Sequence, residues 1–134
     1  MNRKLIVLST AAVMALGLQS FTMKPADDEV MVKEDGVYVV NTTKLGKSIE
    51  GYKGTTPLKI YIKKNKVEKI EFLKNQETPK YYAKVKKAFQ DVWNGLKVKD
   101  AQKKQVDAVT GATFSSEAVI KNVQLGLDYY QKNK

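Results

Sequence analysis

Cysteine and histidine are both absent from this 134-residue chain. Without cysteine the protein cannot form disulfides, bind a metal through thiolates, use a cysteine nucleophile or accept a lipoprotein-type lipid. Without histidine it lacks the commonest general base and the commonest transition-metal ligand, which excludes a Ser-His-Asp mechanism and a histidine-ligated zinc site. Redox or group-transfer chemistry would therefore come from a bound cofactor rather than from the chain's own side chains.

Arginine is almost as scarce, because only one of the 24 basic residues, Arg3, is an arginine. The formal net charge of +10 favours anionic partners such as phospholipid headgroups or a phosphorylated ligand. Lysine without arginine is poorly suited to bidentate reading of nucleic-acid bases, so we expect no nucleic-acid partner. The lysines are dispersed along the chain, and we expect most of them to form solvated faces.

Residues 1–22 have the pattern of an export signal. Arg3 and Lys4 precede an apolar stretch without charged residues, and small or weakly polar residues follow it. We expect a cleaved signal peptide, with an uncleaved membrane anchor as the alternative, and a location in the periplasm or at the extracytoplasmic face of the membrane. Residues 23–34 are polar and acidic and are expected to form a flexible leader, followed by a single domain over residues 35–134.

The first half of this domain has the patterns of β-structure. Residues 36–42 combine β-branched and aromatic side chains, which predicts a strand. Apolar residues alternate with polar ones over residues 58–63, Lys64-Asn65 suits a turn, and residues 66–74 hold a second apolar face. These patterns predict a small antiparallel sheet with a hairpin at its centre.

Two amphipathic helices are predicted in the second half. The first has an apolar stripe that consists of Tyr81, Val85, Ala88, Phe89 and Val92. We expect this helix to end at Asn94-Gly95. The stripe of the second consists of Ile120, Val123, Leu127 and Tyr130. Strands followed by helices on one side predict an α+β fold, with two principal helices packed against the sheet.

The segment Asp-Ala-Val-Thr-Gly-Ala-Thr at residues 107–113 precedes the second helix, which we expect to open with Ser115 and Ser116. A helix start carries unpaired N–H groups and a partial positive charge, so it attracts phosphate. Thr113 therefore lies where a hydroxyl can meet, or be bonded to, a phosphate group. On these residues alone, an ordinary turn that leads into a helix is an equally good interpretation.

A second cluster, Glu77-Thr78-Pro79, lies between the hairpin and the first helix. Proline suits the first position of a helix, and a threonine before it suits the N-cap. Taken alone, the cluster is explained by a capped helix with a solvated glutamate.

The order of these features resembles the FMN-binding domain family. The matching elements are Asp-Gly-Val-Tyr at residues 35–38, Gly-Tyr-Lys-Gly at 51–54, the hairpin, Glu-Thr-Pro at 77–79, a helix, and residues 107–116. The resemblance is to the small exported covalent-FMN domains that occur in the sodium-pumping NADH:quinone oxidoreductase and in the Rnf electron-transport complex. It covers about residues 35 to 130.

The resemblance implies that FMN is joined through its phosphate to Thr113 by a separate exported flavin transferase. It also implies that the phosphate is surrounded by Thr110, Gly111, Ala112, Ser115 and Ser116. Glu77 and Thr78 would face the flavin ring, and Asp107 would be recognised by the transferase.

The sequence thus predicts an exported electron-transfer flavoprotein with covalent FMN on Thr113, more an electron carrier than a self-contained enzyme. Its partners would be the transferase and redox proteins that the sequence does not identify. One alternative is a module that binds FMN or another phosphorylated ligand without a covalent bond and without redox turnover. Another is a basic protein that binds anionic lipid and no flavin.

Overall fold

The structure, a computed structural model, describes residues 29–134. In chain order, its elements are β1 (Met31–Glu34), β2 (Val37–Asn41), β3 (Leu58–Lys63), β4 (Lys66–Phe72), α1 (Pro79–Phe89), α2 (Val98–Lys103) and α3 (Thr113–Asn133). The predicted α+β fold is therefore confirmed. The predicted signal, residues 1–22, and the first part of the leader, residues 23–28, lie outside the described residues.

The four strands form one antiparallel sheet in the order β1-β2-β3-β4, so each strand pairs with its neighbour in the chain. Two-residue turns join β1 to β2 at Asp35-Gly36 and β3 to β4 at Lys64-Asn65. All four turn residues have positive φ, as in the type I′ turns whose twist matches that of paired strands. The predicted hairpin is confirmed, although of its two strands β3 is interior and β4 lies at the edge of the sheet.

The edge at β4 is covered by the segment 95–98. The N–H of Gly95 donates to the carbonyl of Val67 (2.7 Å), and the N–H of Val67 donates to the carbonyl of Leu96 (2.9 Å). These bonds satisfy backbone groups that an open edge strand would expose.

Strand β1 corrects the expectation of a flexible leader over residues 23–34. Met31–Glu34 pair with β2 in antiparallel register, with Met31 opposite Val40. The strand has four residues and its second half is charged, so the sequence holds too short an alternation to be recognised. The turn at Asp35-Gly36 returns the chain and supplies β1 with a partner.

Helix α3 packs across the sheet at Gly126. A Cβ atom at Gly126 would lie 2.5 Å from Ile60 Cδ1 and 3.2 Å from Thr42 Cγ2, so only glycine allows this approach. The buried apolar residues between the sheet and the helices include Val40, Leu58, Ile60, Ile62, Val67, Val85, Phe89, Trp93, Val119, Val123 and Leu127. Trp93 therefore belongs to the core.

Helix α1 presents a different face to the core from the predicted one. Tyr82, Val85 and Phe89 are buried, whereas Tyr81 and Ala88 are exposed. The helix also ends at Phe89, before the predicted stop, and the short helix α2 was not predicted. Tyr81 and Tyr82 both fit an apolar stripe, so tertiary packing decides between them.

Among residues 29–134, no helix combines the length and the apolar character needed to cross a bilayer.

Candidate functional site

The segment before α3 makes a tight turn into the helix. Gly111 has a φ of +85°, a conformation that glycine adopts without strain. The N–H of Ala112 donates to the carbonyl of Val109 (2.9 Å), and the N–H of Ser116 donates to the carbonyl of Ala112 (2.9 Å) as the helix starts. Helix α3 therefore begins at Thr113, two residues earlier than predicted.

Thr113 is exposed at the first position of α3. The N–H groups of a first helical turn have no acceptor within the helix. Ala112, at the N-cap, has no side-chain oxygen to bond them, and the first turn carries no acidic residue. The start of α3 therefore has a partial positive charge that an anion beside the Thr113 hydroxyl would meet.

A cleft of about 430 Å³ opens beside Thr113. Its lining residues are Tyr52, Thr78, Tyr81, Gly111, Ala112, Thr113, Phe114 and Ser115. They come from the loop after β2, from the start of α1 and from the turn into α3. Three distant chain segments thus meet at one concave site, which is the usual setting of a small-molecule ligand.

Aromatic side chains form much of the cleft wall. Tyr52, Phe114 and Tyr81 are 68%, 63% and 43% exposed, and they are the exposed large hydrophobic residues of the described chain. The ring centroids of Tyr52 and Phe114 are 6.5 Å apart and the ring planes are inclined by 26°. Three large rings that are exposed around one cleft indicate a binding surface for a planar, partly apolar group.

A buried carboxylate joins two walls of the cleft. Glu77 is only 5% exposed and accepts hydrogen bonds from the backbone N–H groups of Tyr52 (2.7 Å), Lys53 (2.7 Å) and Gly54 (3.1 Å). It also accepts a hydrogen bond from the hydroxyl of Ser115 at the start of α3. The carboxylate therefore fastens the loop that carries Tyr52 to the helix that carries Thr113.

The environment of Glu77 favours its ionised form. Burial raises the pKa of the Glu77 carboxyl, but the hydrogen bonds from Ser115 and from the backbone of residues 52–54 lower it by more, so the net shift is downward. Gly51 makes room for the carboxylate, because a Cβ at this position would collide with it. The glycine before Tyr52 thus has a packing role.

Five of the predicted site residues line the cleft, namely Thr78, Gly111, Ala112, Thr113 and Ser115. Thr78 also occupies the N-cap of α1, as predicted, with proline at the first helical position. Its hydroxyl makes no capping hydrogen bond, so it is available to a ligand in the cleft.

The structure does not bring the other four predicted residues into the cleft lining. Ser116 is fully buried, and its hydroxyl donates to the carbonyl of Ala112 (2.7 Å), so it fastens the turn that leads into α3. The carboxylate of Glu77 accepts four hydrogen bonds from within the domain and does not line the cleft. Thr110 and Asp107 are exposed on the segment that approaches the cleft.

Sequence reasoning missed the aromatic wall. Helical spacing assigns Tyr81 to the buried stripe of α1, and Phe114 carries no signal beyond its place after Thr113. For Tyr52 a signal was present, because it lies between Gly51 and Gly54 in a segment with too few apolar residues to bury it.

Comparison with known families identifies the family of this domain. Residues 51–128, more than half of the chain, match the family model of the FMN-binding domain. The chain belongs to the FMN-binding domain family. The matched part of this FMN-binding domain begins at Gly51 and contains every residue of the cleft lining. No curated protein and no solved structure gives a significant match.

The cleft of the FMN-binding domain suits both ends of FMN. The exposed rings offer a surface to the isoalloxazine ring, and the N–H groups at the start of α3 offer a site to the phosphate. Gly111 and Ala112 place no bulky side chain in the way of an anion. Thr113 lies between Ala112 and Phe114 in the chain, so it adjoins both features.

Proposed function

We propose that this FMN-binding domain is an exported electron-transfer flavoprotein that carries FMN through a phosphate ester to the hydroxyl oxygen of Thr113. One observation carries the proposal. An exposed threonine hydroxyl begins α3, where the N–H groups lack acceptors within the helix, and it lies in a cleft walled by aromatic rings.

The neighbouring hydroxyls are less suitable than that of Thr113. Ser115 is 4% exposed and its hydroxyl donates to Glu77, while Ser116 is fully buried. Thr110 is exposed but does not line the cleft. Thr113 is the residue among these four that combines exposure with a place in the cleft.

The open cleft favours a covalent link over simple binding. A helix start contributes about 1–2 kcal/mol to holding an anion, which corresponds to only about tenfold in affinity. Exposed side chains form much of the cleft, so the cleft does not enclose an unlinked cofactor. An exported protein cannot recover a lost cofactor from the cytoplasm, and an ester bond prevents the loss.

As the resemblance to the family implies, a separate exported flavin transferase would make this bond. Thr113 Oγ would bond to the FMN phosphorus of a dinucleotide donor while the pyrophosphate P–O bond breaks. The threonine proton would pass to the departing nucleoside monophosphate. Asp107 is exposed ahead of the turn, where the transferase can contact it.

Bound FMN supplies one- and two-electron chemistry that the side chains of this protein lack. The lining of the cleft contains hydroxyl, aromatic and small residues, with no carboxylate and no amine among them. This composition suits a protein that holds a redox group for its partners better than one that performs acid–base catalysis. The positive charge that remains after residues 1–22, 22 basic against 14 acidic residues, favours anionic partner surfaces at the extracytoplasmic side.

The test is the intact mass of the protein produced together with a flavin transferase and passed through its export route. We expect a gain equal to FMN less one water. Thr113→Ala should abolish the gain, whereas Thr110→Ala, the same change three residues earlier, should leave it in place.

The alternative of a non-covalent module has its own signature. A yellow protein without the mass gain, whose colour is lost on denaturation and gel filtration, would support non-covalent binding of FMN. A mass gain that persists in Thr113→Ala would refute the assignment of the residue.

A further inference from the structure

Given the proposed function, we propose that Tyr52 and Phe114 hold the flavin ring and that Glu77 is the positioning residue that keeps Tyr52 in place. Two exposed rings and one buried carboxylate carry this inference. Their contacts connect them directly to the start of α3.

Tyr52 and Phe114 come from distant parts of the chain, but their rings are stacked across the cleft. Their centroids are 6.5 Å apart and their planes are inclined by 26°. Two rings that hold a third planar ring between them are about 7 Å apart, which is twice the van der Waals separation of carbon atoms. Phe114 directly follows Thr113, so a group attached at Thr113 is next to this pair.

Tyr81, the third exposed ring, is engaged in a different way. The Nζ atoms of Lys80 and Lys84 each lie 5.9 Å from the centroid of the Tyr81 ring, within the range of a cation–π contact. These cations compete with a ligand for the ring. We therefore assign Tyr81 to the outer wall of the cleft and Tyr52 to the contact with the flavin.

The side chain of Tyr52 is 68% exposed on a loop, so its packing does not fix its position and hydrogen bonds of the backbone must do so. Glu77 accepts the N–H of Tyr52 (2.7 Å) and the hydroxyl of Ser115, the residue after Phe114. The carboxylate thus fixes the loop against the start of α3 while remaining outside the lining of the cleft. Its role toward the flavin is to set the position of Tyr52 relative to Phe114.

Flavin fluorescence reports the proposed contact. A tyrosine ring that touches a flavin quenches its fluorescence, because tyrosine donates an electron to the excited flavin and then recovers it. Phenylalanine is too hard to oxidise to act in this way. We would measure the fluorescence yield and lifetime of the FMN-loaded protein, with loading checked by intact mass. Tyr52→Phe keeps a ring in the cleft and should raise the fluorescence severalfold at unchanged loading.

Two matched Tyr→Phe changes serve as controls. Tyr61→Phe alters the sheet face that points away from the core and should leave the fluorescence near the wild-type value, whereas Tyr81→Phe alters the outer wall of the same cleft and should raise it much less than Tyr52→Phe does. An unchanged yield in Tyr52→Phe, or a rise in Tyr81→Phe as large as that in Tyr52→Phe, would overturn the assignment of Tyr52 even where the FMN mass is present. If no sample carries FMN mass, the proposed function fails and the ring contact fails with it.

Glu77→Gln tests the positioning role. It should raise the fluorescence of the otherwise wild-type protein but cause no further rise in a Tyr52→Phe background, because Glu77 acts through Tyr52. Equal rises in both backgrounds, or none in either, would overturn this role. If Glu77→Gln does not accumulate as folded protein, Ser115→Ala removes one of the same ties and allows the same pair of measurements.

Discussion

Replacing Glu77 with glutamine should destabilise the domain by about 2 kcal/mol at neutral pH. Oε1 of the carboxylate accepts from the N–H of Tyr52 and from the hydroxyl of Ser115, and Oε2 accepts from the N–H groups of Lys53 and Gly54. Glutamine has the same shape, but its NH₂ group is a donor. One of the two oxygen positions therefore loses its acceptor.

The magnitude follows from the less costly orientation of the glutamine amide. With the NH₂ group in place of Oε1, Ser115 can turn its hydroxyl to accept a hydrogen bond, and only the N–H of Tyr52 loses its partner. An unpaired buried donor costs roughly 1–3 kcal/mol, and the bonds that remain no longer involve a charged acceptor. For a domain of this size, the expected loss lowers Tm by roughly 10 °C.

The effect should diminish in acid. Although burial raises it, the pKa of Glu77 lies below its ordinary value because of the hydrogen bonds that the carboxylate accepts. A carboxyl whose pKa is lowered by folding stabilises the native state above its unfolded-state pKa of about 4.3. This stabilisation is lost as the pH falls through the folded-state pKa.

Urea unfolding, followed by the fluorescence of the buried Trp93, provides the assay. The wild type and Glu77→Gln would be compared at pH 7 and at a series of lower pH values, with Glu117→Gln on the exposed side of α3 as the control. The difference should be greatest at pH 7 and should shrink below about pH 4. Equal stability at pH 7, or a difference that does not change with pH, would refute the reasoning.

Two further tests concern the space around Gly51, with Gly54→Ala as its control, and the buried hydroxyl of Tyr82. Gly51→Ala should cost about 1–3 kcal/mol in urea unfolding, because its Cβ would collide with a carboxylate that four hydrogen bonds hold in place. Gly54→Ala is the control, since its Cβ would lie 3.6 Å from Gln76 Cβ, and similar losses in both variants would contradict the packing argument. Tyr82→Phe removes a buried hydroxyl that has no hydrogen-bond partner among residues 29–134, so thermal unfolding should show unchanged or slightly higher stability. A clear loss of stability would mean that this hydroxyl is bonded.

Much of the fold could be predicted from local patterns. Alternation over residues 58–63 and the turn at Lys64-Asn65 were sufficient for the hairpin, because both signals lie within a few residues. Strand β1 was missed, since its four residues become a strand only when the next turn brings β2 beside them. The buried face of α1 was wrong because Tyr81 and Tyr82 fit the helical period equally well.

In the site, too, the contiguous features could be predicted from the sequence and the features that depend on tertiary contacts could not. Thr113 and its small neighbours form a contiguous motif, so the sequence could predict a phosphate site there. The aromatic wall could not be predicted, because Tyr52 and Phe114 lie far apart in the chain and meet only in the folded domain. The hydrogen-bond donors to the Glu77 carboxylate are 23 to 38 residues away from it, so the sequence alone indicated a solvated carboxylate.

The attachment of FMN to Thr113 is tested most directly by peptide fragmentation. Trypsin releases residues 105–121 of this chain as one peptide, since lysine precedes residue 105 and occurs next at residue 121. In protein purified from cells that contain the transferase, fragment ions should place the mass of FMN less one water on Thr113. They should leave Thr110, Ser115 and Ser116 unmodified. The same mass on any of those three residues, or an unmodified peptide from fully exported protein, would contradict the account.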